Sequence, residues 1–348
     1  MTKKIRYIIL MIVLILSASD AFSQKVGSTS MQFLSVIPSA RAAAMGNAYA
    51  AIAHGAEGVF WNPAGVALTE GQEFSTTYIN WIFDARQYAL AYSFSLSDYG
   101  AVGVQLQYND YGAFDEAIVG SGAVDIYPGQ EFPYLTGRTF KPYSYVAGIT
   151  YAIKLTDRFT TGLTAKYSHE SLFDKTKVFV KEDEVTQADM NTYASVILFD
   201  FGMYYNTGFH SVQIGASVQN FGPDIKYAKD KSPAPMLFRV GVAGDLLGAN
   251  SLLVESSSHR LGIAFDIFQS NDYDQQQHFG LEYEFANTIA LRAGYKNNYD
   301  IEGLTFGFGV KQNLGSLRIS FDYGYGAIGS AVGSFGNVHR ISLGVGIL

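Results

Sequence analysis

The chain contains no cysteine. Disulfides, a thiol-linked lipid anchor and any Cys-based metal centre are therefore excluded. Proline is scarce, with 8 residues, and charged residues make up only 16%. That is little charge for an exported protein free in water. After residue 24 no apolar run reaches the length of a membrane-spanning helix. A G-x-S-x-G nucleophile elbow is missing. The histidines at 54, 169, 210, 259, 278 and 339 never stand at i, i+4 spacing, so a zinc helix is not expected. A net charge of −7 argues against a nucleic-acid partner.

The first residues form a leader. Lys3, Lys4 and Arg6 precede the apolar stretch Ile8 to Leu16, and Ala21-Phe22-Ser23 offers a small-x-small cleavage site. Residues 1–24 read as a cleaved signal peptide, too short in its apolar core for a membrane anchor. What remains is rich in Tyr (24), Phe (25) and Gly (36), and mean hydropathy is +0.08. Near-neutral hydropathy without apolar runs suits a transmembrane barrel, whose lipid-facing and lumen-facing residues alternate and cancel.

The alternation is visible from residue 72 onward. Leu304, Phe306, Phe308 and Val310 oppose Thr305, Gly307, Gly309 and Lys311; Ile341, Leu343, Val345 and Ile347 oppose Arg340, Ser342, Gly344 and Gly346. Period two places these sets on opposite faces of a strand. Fourteen such segments begin near Gln72, Gln87, Ala101, Tyr143, Arg158, Tyr193, Ser211, Pro235, Arg260, His278, Thr288, Gly303, Ser316 and Val338. The expected fold is all-β: a 14-stranded antiparallel transmembrane β-barrel over residues 69–348, in the outer membrane of a Gram-negative bacterium. Lipid and lipopolysaccharide would surround it.

Connection lengths sort by parity, with the N-terminus taken to lie in the periplasm. The long gaps Asp110 to Pro142, Ser168 to Thr192, Asn220 to Ala234 and Gly326 to Asn337 all follow odd strands. Tight links at Leu155-Thr156-Asp157, Ala286-Asn287 and Asn313-Leu314-Gly315 follow even ones. Short periplasmic turns and long extracellular loops are what such barrels have. Asp245 to His259 breaks the rule. The Gly/Tyr/Phe-rich stretch from Asp110 to Pro142 is the first candidate for contact with a partner. The acidic run Lys181 to Asp189 reads as a solvated loop.

The polar strand faces carry Lys166, Asp200, Arg239, Asp266, Glu282, Glu284, Arg292, Lys296, Lys311, Arg318, Asp322 and Arg340. A charge at mid-membrane on the lipid side costs about 2–4 kcal/mol, so these residues are expected to line the lumen as a largely paired network. A pathway for a polar or anionic solute is the other reading. Gly324-Tyr325-Gly326-Ala327-Ile328-Gly329 matches G-x-G-x-x-G, but no helix follows to bind a dinucleotide. No catalytic residue, metal or cofactor is expected.

Residues 25–68 differ from the rest. Ser39 can cap an alanine-rich helix from Ala40 to about Ala53, stopped by Gly55. Such a helix cannot hold itself together alone. A lumen of fourteen strands is too wide for wall side chains to fill, so this segment is placed to plug it, with Phe60 and Trp61 as its apolar anchors. A short periplasmic helix ahead of the barrel is the alternative.

The stretch "IPSARAAAMGNAYAAIAHGAEGVFWNPAG" resembles the N-terminal signature of the PorV/PorQ family of outer-membrane proteins. Arg41, Met45, Gly46, Asn47, Trp61, Asn62, Pro63 and Gly65 carry the match. That family is similar in fold to the FadL long-chain fatty-acid transporters, barrels of fourteen strands with an N-terminal hatch. The resemblance implies a non-enzymatic role with type IX secretion. PorV-like members bind the C-terminal signal domain of cargo leaving a translocon. It leaves open a FadL-like transporter of hydrophobic small molecules with a movable hatch.

Overall fold

Alternating faces and tight turns produce a closed sheet in the computed structural model. It describes residues 27–118, 134–173, 177–179, 187–189, 192–227, 230–330 and 333–347. The expected signal peptide lies outside these residues, as does most of the acidic run Lys181 to Asp189. Fourteen strands form the wall. They are β1 (Gln72–Asn80), β2 (Arg86–Ser95), β3 (Ala101–Asp110), β4 (Tyr143–Lys154), β5 (Phe159–Ser171), β6 (Tyr193–Asn206) and β7 (Gln213–Phe221). The second half comprises β8 (Leu237–Gly248), β9 (His259–Ser270), β10 (Gln276–Phe285), β11 (Ile289–Asn297), β12 (Glu302–Leu314), β13 (Leu317–Ser330) and β14 (Gly333–Ile347). Each pairs antiparallel with the next, and β14 pairs with β1 from Gln72↔Ile347 to Asn80↔His339. Closure leaves the wall without an edge, which a barrel in lipid requires.

The outer face is greasy. Leu291, Leu304, Phe306, Leu343 and Ile347 all point outward and are exposed. Their neighbours Arg292, Thr305 and Ser342 point inward and are buried. A row of tyrosines, Tyr78, Tyr88, Tyr108 and Tyr145, runs across β1 to β4 at one height. It has the placing of the aromatic girdle at a membrane interface.

Turns at one end are short: 155–158 after β4, 286–288 after β10 and 315–316 after β12. Three long connections at the other end each contain a strand pair of their own. Phe114–Ile118 pairs with Tyr134–Phe140 after β3, Lys177–Phe179 with Gln187–Asp189 after β5, and Ile225–Tyr227 with Asp230–Ser232 after β7. By the same rule as before, the long-loop end is extracellular and the turn end periplasmic.

Two expectations need correction, and one exception finds its cause. No long loop separates β13 and β14, because pairs continue from Gly326↔Val338 to Ser330↔Gly333. The Gly/Ala/Ser run there hides the strand pattern, yet Ile328 and Val338 pack on Ile79 inside the barrel. Tertiary contact overrides weak local propensity at this point. The connection after β8 is long because Val254–Glu255 adds in parallel beside Leu247 and Gly248. The chain also does not approach β1 from the periplasm. Residues 29–36 sit at the long-loop end, where the Ser30 amide donates to Pro233 O and Gln87 donates to Val36 O. From there the segment descends through the lumen before β1 starts at the turn end.

Candidate functional site: the plugged lumen

Residues 39–68 fill the middle of the barrel. Ser39 caps the first helix as its sequence suggests, its Oγ accepting from Ala42 N at 3.0 Å. That helix, α1 (Ala40–Ala44), is far shorter than the expected span to Ala53. Gly46 and Asn47 follow with φ of 64° and 66°. A left-handed pair ends a helix wherever it falls. Gly46 is fixed there by the wall, because a Cβ would stand 2.7 Å from Tyr295 N and 2.8 Å from Phe279 O. A second short helix, α2 (Gly58–Trp61), and a 3-10 turn over Pro63–Leu68 complete the plug.

The motif residues are the ones that fasten this segment. Arg41 forms two 2.8 Å hydrogen bonds to Glu282 on β10. Met45 O and side chain lie against Gly280. Trp61 donates from its indole to Pro38 O at 2.9 Å and meets the Tyr49 ring edge-on. Asn62 donates to Ala50 O at 2.9 Å and to Met203 O on β6 at 3.0 Å, while its Oδ1 accepts from Ala64 N. Pro63 starts the 3-10 turn, where its missing N–H costs nothing. At Gly65 a Cβ would stand 1.9 Å from Ala53 O. Phe60 is buried, and its carbonyl accepts from Gln219 on β7.

The wall answers the plug with small or hydrogen-bonding residues. A Cβ on Gly202 would come within 2.2 Å of Asn62 Oδ1, one on Gly215 within 2.1 Å of Ala50 O, and one on Gly294 within 2.0 Å of Gly46 N. These three glycines stand on β6, β7 and β11, so plug backbone touches wall backbone on several sides. Between them, wall side chains satisfy plug backbone groups: Gln105 bonds Val59 O, Ser217 bonds Trp61 O, Thr305 bonds Ala44 O, and Ser342 accepts from Ala40 N. Asp266 Oδ2 accepts from the amides of Tyr49 and Ala50, both at 2.8 Å. A buried irregular segment is stable only when its polar backbone groups are met in this way.

The twelve charges expected in the lumen do point inward, but they form separate groups rather than one network. On the turn side of the plug, Glu282 gathers Arg41, Arg292 and Arg260. Arg292 continues to Asp322 at 2.6 Å, Arg260 to Asp245 and Glu284, and Lys311 to Glu284 at 3.1 Å. Arg318 pairs with Glu73 at 2.9 Å. Elsewhere Lys166 pairs with Asp200 at 2.8 Å, and Lys296 pairs with Glu302. Arg239 and Arg340 make no direct ion pair among the described residues, although Asp266 and Glu302 lie within electrostatic reach of them. Arg239 lies between the rings of Trp61 and Phe268, 5.0 and 4.1 Å from their centroids, and Arg340 lies over Trp81. A guanidinium shielded from water gains from such ring faces.

Arg260, Glu73, Asp245, Glu302 and the plug carboxylate Glu57 are members that the sequence reading missed. All but Glu57 stand at or near a strand end, where a two-residue pattern cannot be judged. Glu57 accepts from Tyr49 Oη at 2.6 Å. Burial pushes its carboxyl above the ordinary range. His54 opens on the turn-side vestibule, yet its surroundings inside the barrel lower it to about 4, desolvation first and the Arg41 charge second.

Several cavities flank the plug, and two of them are larger than the rest. The turn-side vestibule measures about 520 Å³ and is lined by Arg41, His54, Glu57, Lys311, Arg318 and Asp322 among others. A second cavity of about 410 Å³ lies at the long-loop end, between Phe33, Val36, Trp81, Tyr111, Phe114 and Leu172. The first is charged and the second almost wholly apolar.

Several solved structures share this architecture. The Pseudomonas putida toluene transporter TodX is 13% identical, with 93% of this chain and 98% of that chain covered and a TM-score of 0.54. The Ralstonia pickettii toluene transporter TbuX is 14% identical, covering 88% and 97%, with a TM-score of 0.52. The monoaromatic hydrocarbon channel CymD is 12% identical, covering 89% and 96%, with a TM-score of 0.53. At such identities the likeness establishes the fold alone. No curated protein matches the sequence. Residues 139–345, from just before β4 to the last strand, match the family described as type IX secretion system membrane protein PorP/SprF. That span is more than half of the chain, and it lies wholly outside the N-terminal motif. The chain belongs to this family of type IX secretion outer-membrane barrels.

Proposed function

We propose that the protein is a sealed, non-enzymatic barrel that serves type IX secretion by binding a partner at the cell surface. The observation that carries this reading is the fit of the plug. Wall glycines admit plug backbone at distances that leave no room for a methyl group, and wall side chains use up the plug's polar groups. A hatch that swings aside would strip those partners from groups on both sides. The work is then done on the outer surface. The hairpins after β3 and β5 are the elements we assign to holding secreted cargo or a translocon subunit. Within the secretion barrels, the N-terminal motif favours a PorV/PorQ-like member, and PorV-like handling of cargo C-terminal domains is the role proposed. Export by a cleaved signal peptide and contact with lipopolysaccharide on the greasy wall belong to the same proposal.

Affinity purification from native outer membranes tests it. Co-purification with a translocon subunit, or with proteins sharing a C-terminal domain, is expected. Recovery of lipid or hydrocarbon alone would overturn the reading.

One observation favours a second reading, transport of hydrophobic small molecules. The apolar cavity above the plug has a size suited to a small ligand, and the structural relatives include toluene transporters. Reconstituted liposomes should then take up toluene, and Phe60→Ala with Trp61→Ala should change the rate. Absence of flux through the folded wild-type barrel would exclude it.

A further inference from the structure

The segment ahead of the plug has its own fastening, distinct from everything that holds residues 39–68. Thr29 Oγ1 and Gln32 Nε2 both donate to Asp272 Oδ2 at 2.7 Å. Ser270 Oγ donates to the other oxygen of the same carboxylate. Asp272 stands just after β9 at the long-loop end and is 1% exposed. Its three donors are neutral, and two of them come from the segment. A buried carboxylate held by neutral donors depends on keeping them. Ser30 adds a backbone bond to Pro233 O at 2.9 Å and a hydroxyl contact with Ser232, both from the connection after β7.

Below these polar contacts the segment turns its apolar side inward. Met31, Phe33 and Leu34 bury themselves against Val146, Val196 and Leu198 of the wall and Ile225 of the hairpin after β7. Phe33 and Val36 also form one side of the apolar cavity. Gly27 and Ser28, one step up the chain, are exposed. The chain therefore enters the lumen from the long-loop end, crosses the mouth, and only then descends to the plug.

We propose that residues 29–36 are an extracellular strap, a second closure of the lumen that is latched on Asp272 and can open independently of the plug. Gly27 and Ser28, just ahead of it, are displayed on the outer face of the cell. With the strap latched, Gln32, Phe33 and Val36 wall one side of the apolar cavity; with the strap released, that side opens to the outside. This goes beyond the partner-binding role and does not depend on which partner is held.

The cysteine-free sequence makes the test clean. Single cysteines are placed at Ser28, at Ser257 in the turn-end connection, at Leu34 under the strap and at Met45 in the plug. Intact cells are treated with a membrane-impermeant maleimide, and folding is checked for each variant by heat-modifiable mobility. Ser28→Cys should be labelled in intact cells, and Ser257→Cys only after the outer membrane is permeabilised. Leu34→Cys should label slowly in the parent and about tenfold faster when Thr29→Ala and Gln32→Ala are added, the effect of losing on the order of 1.4 kcal/mol from hydrogen bonds to a charged group. Asp272→Ala is the stronger version; the alanine pair keeps the test alive should Asp272→Ala fail to fold. Met45→Cys should stay at its slow parental rate throughout. Labelling of Ser28→Cys only after permeabilisation would overturn the proposal. An unchanged rate at Leu34→Cys, or an equal rise at Met45→Cys, would overturn it as well.

Discussion

Arg41 and Glu282 meet across the gap between plug and wall through two parallel 2.8 Å hydrogen bonds. Glu282 also holds Arg292 and Arg260. The two partners are therefore unequal. Arg41→Ala leaves Glu282 with two guanidiniums, whereas Glu282→Gln leaves three guanidiniums around a neutral amide. Breaking a buried pair from the side that strands charge costs about 3–5 kcal/mol. Glu282→Gln should lower the temperature of heat-modified gel migration well below that of Arg41→Ala. Equal losses in the two variants would show that Glu282 is not the hub.

The seal makes a prediction about glycine. Gly202→Ala puts a methyl group within 2.2 Å of Asn62 Oδ1, in a contact made by fixed backbone and a fixed side chain. The plug must shift or the barrel must fail to close. Gly326→Ala is the control, since its nearest neighbour is Thr305 Cγ2 at 3.7 Å. Cells carrying Gly202→Ala should lose folded barrel or become permeable to a large antibiotic, and Gly326→Ala cells should match the parent. A folded, impermeable Gly202→Ala barrel would mean the plug is loosely seated.

Arg239 and Trp61 should show favourable coupling. Trp61→Ala removes a large buried side chain and one of the two rings over Arg239, at a cost of about 3–5 kcal/mol. Arg239→Met removes a buried cation that makes no direct ion pair among the described residues. It relieves the burial of a cation but also withdraws its field from the buried Asp266, so the cost of this variant alone is read first. In a double-mutant cycle read by urea unfolding in lipid vesicles, Trp61→Ala should cost less on the Arg239→Met background. Identical costs on both backgrounds would remove the ring–cation contact from the account.

The strand pattern was readable because lipid and lumen enforce it residue by residue. Thirteen of the fourteen expected starts lie within two residues of the observed ones, and only β14 departs further, beginning at Gly333 instead of Val338. A Gly/Ser-rich strand shows no pattern until its neighbours pair with it. The plug was legible as a motif but not as a shape. The helix could not be followed past Ala44, because what stops it is the backbone of Tyr295 and Phe279 on other strands. Charge pairing was legible in direction only. Alternation shows that Arg239 faces inward, but not that two rings, rather than a carboxylate, hold it there.

His54 and Glu57 give the plug opposite responses to acid. In the seated plug His54 titrates at about 4, below the ordinary value of 6.5. The unseated state therefore takes up the proton first, and seating weakens as pH falls from about 6.5 to about 4. Glu57 is raised, so the seated state takes up its proton first and seating strengthens over the acid range. The parent shows the difference of the two, on top of whatever the wall charges contribute to every variant alike. Relative to the parent, His54→Gln should make the midpoint of heat-modified migration rise, or fall less, on acidification from pH 6.5 to 4. Glu57→Gln should make it fall more steeply. The two variants must depart from the parent in opposite directions, and a shift of both in the same direction would rule out this pair as the source of the plug's pH response.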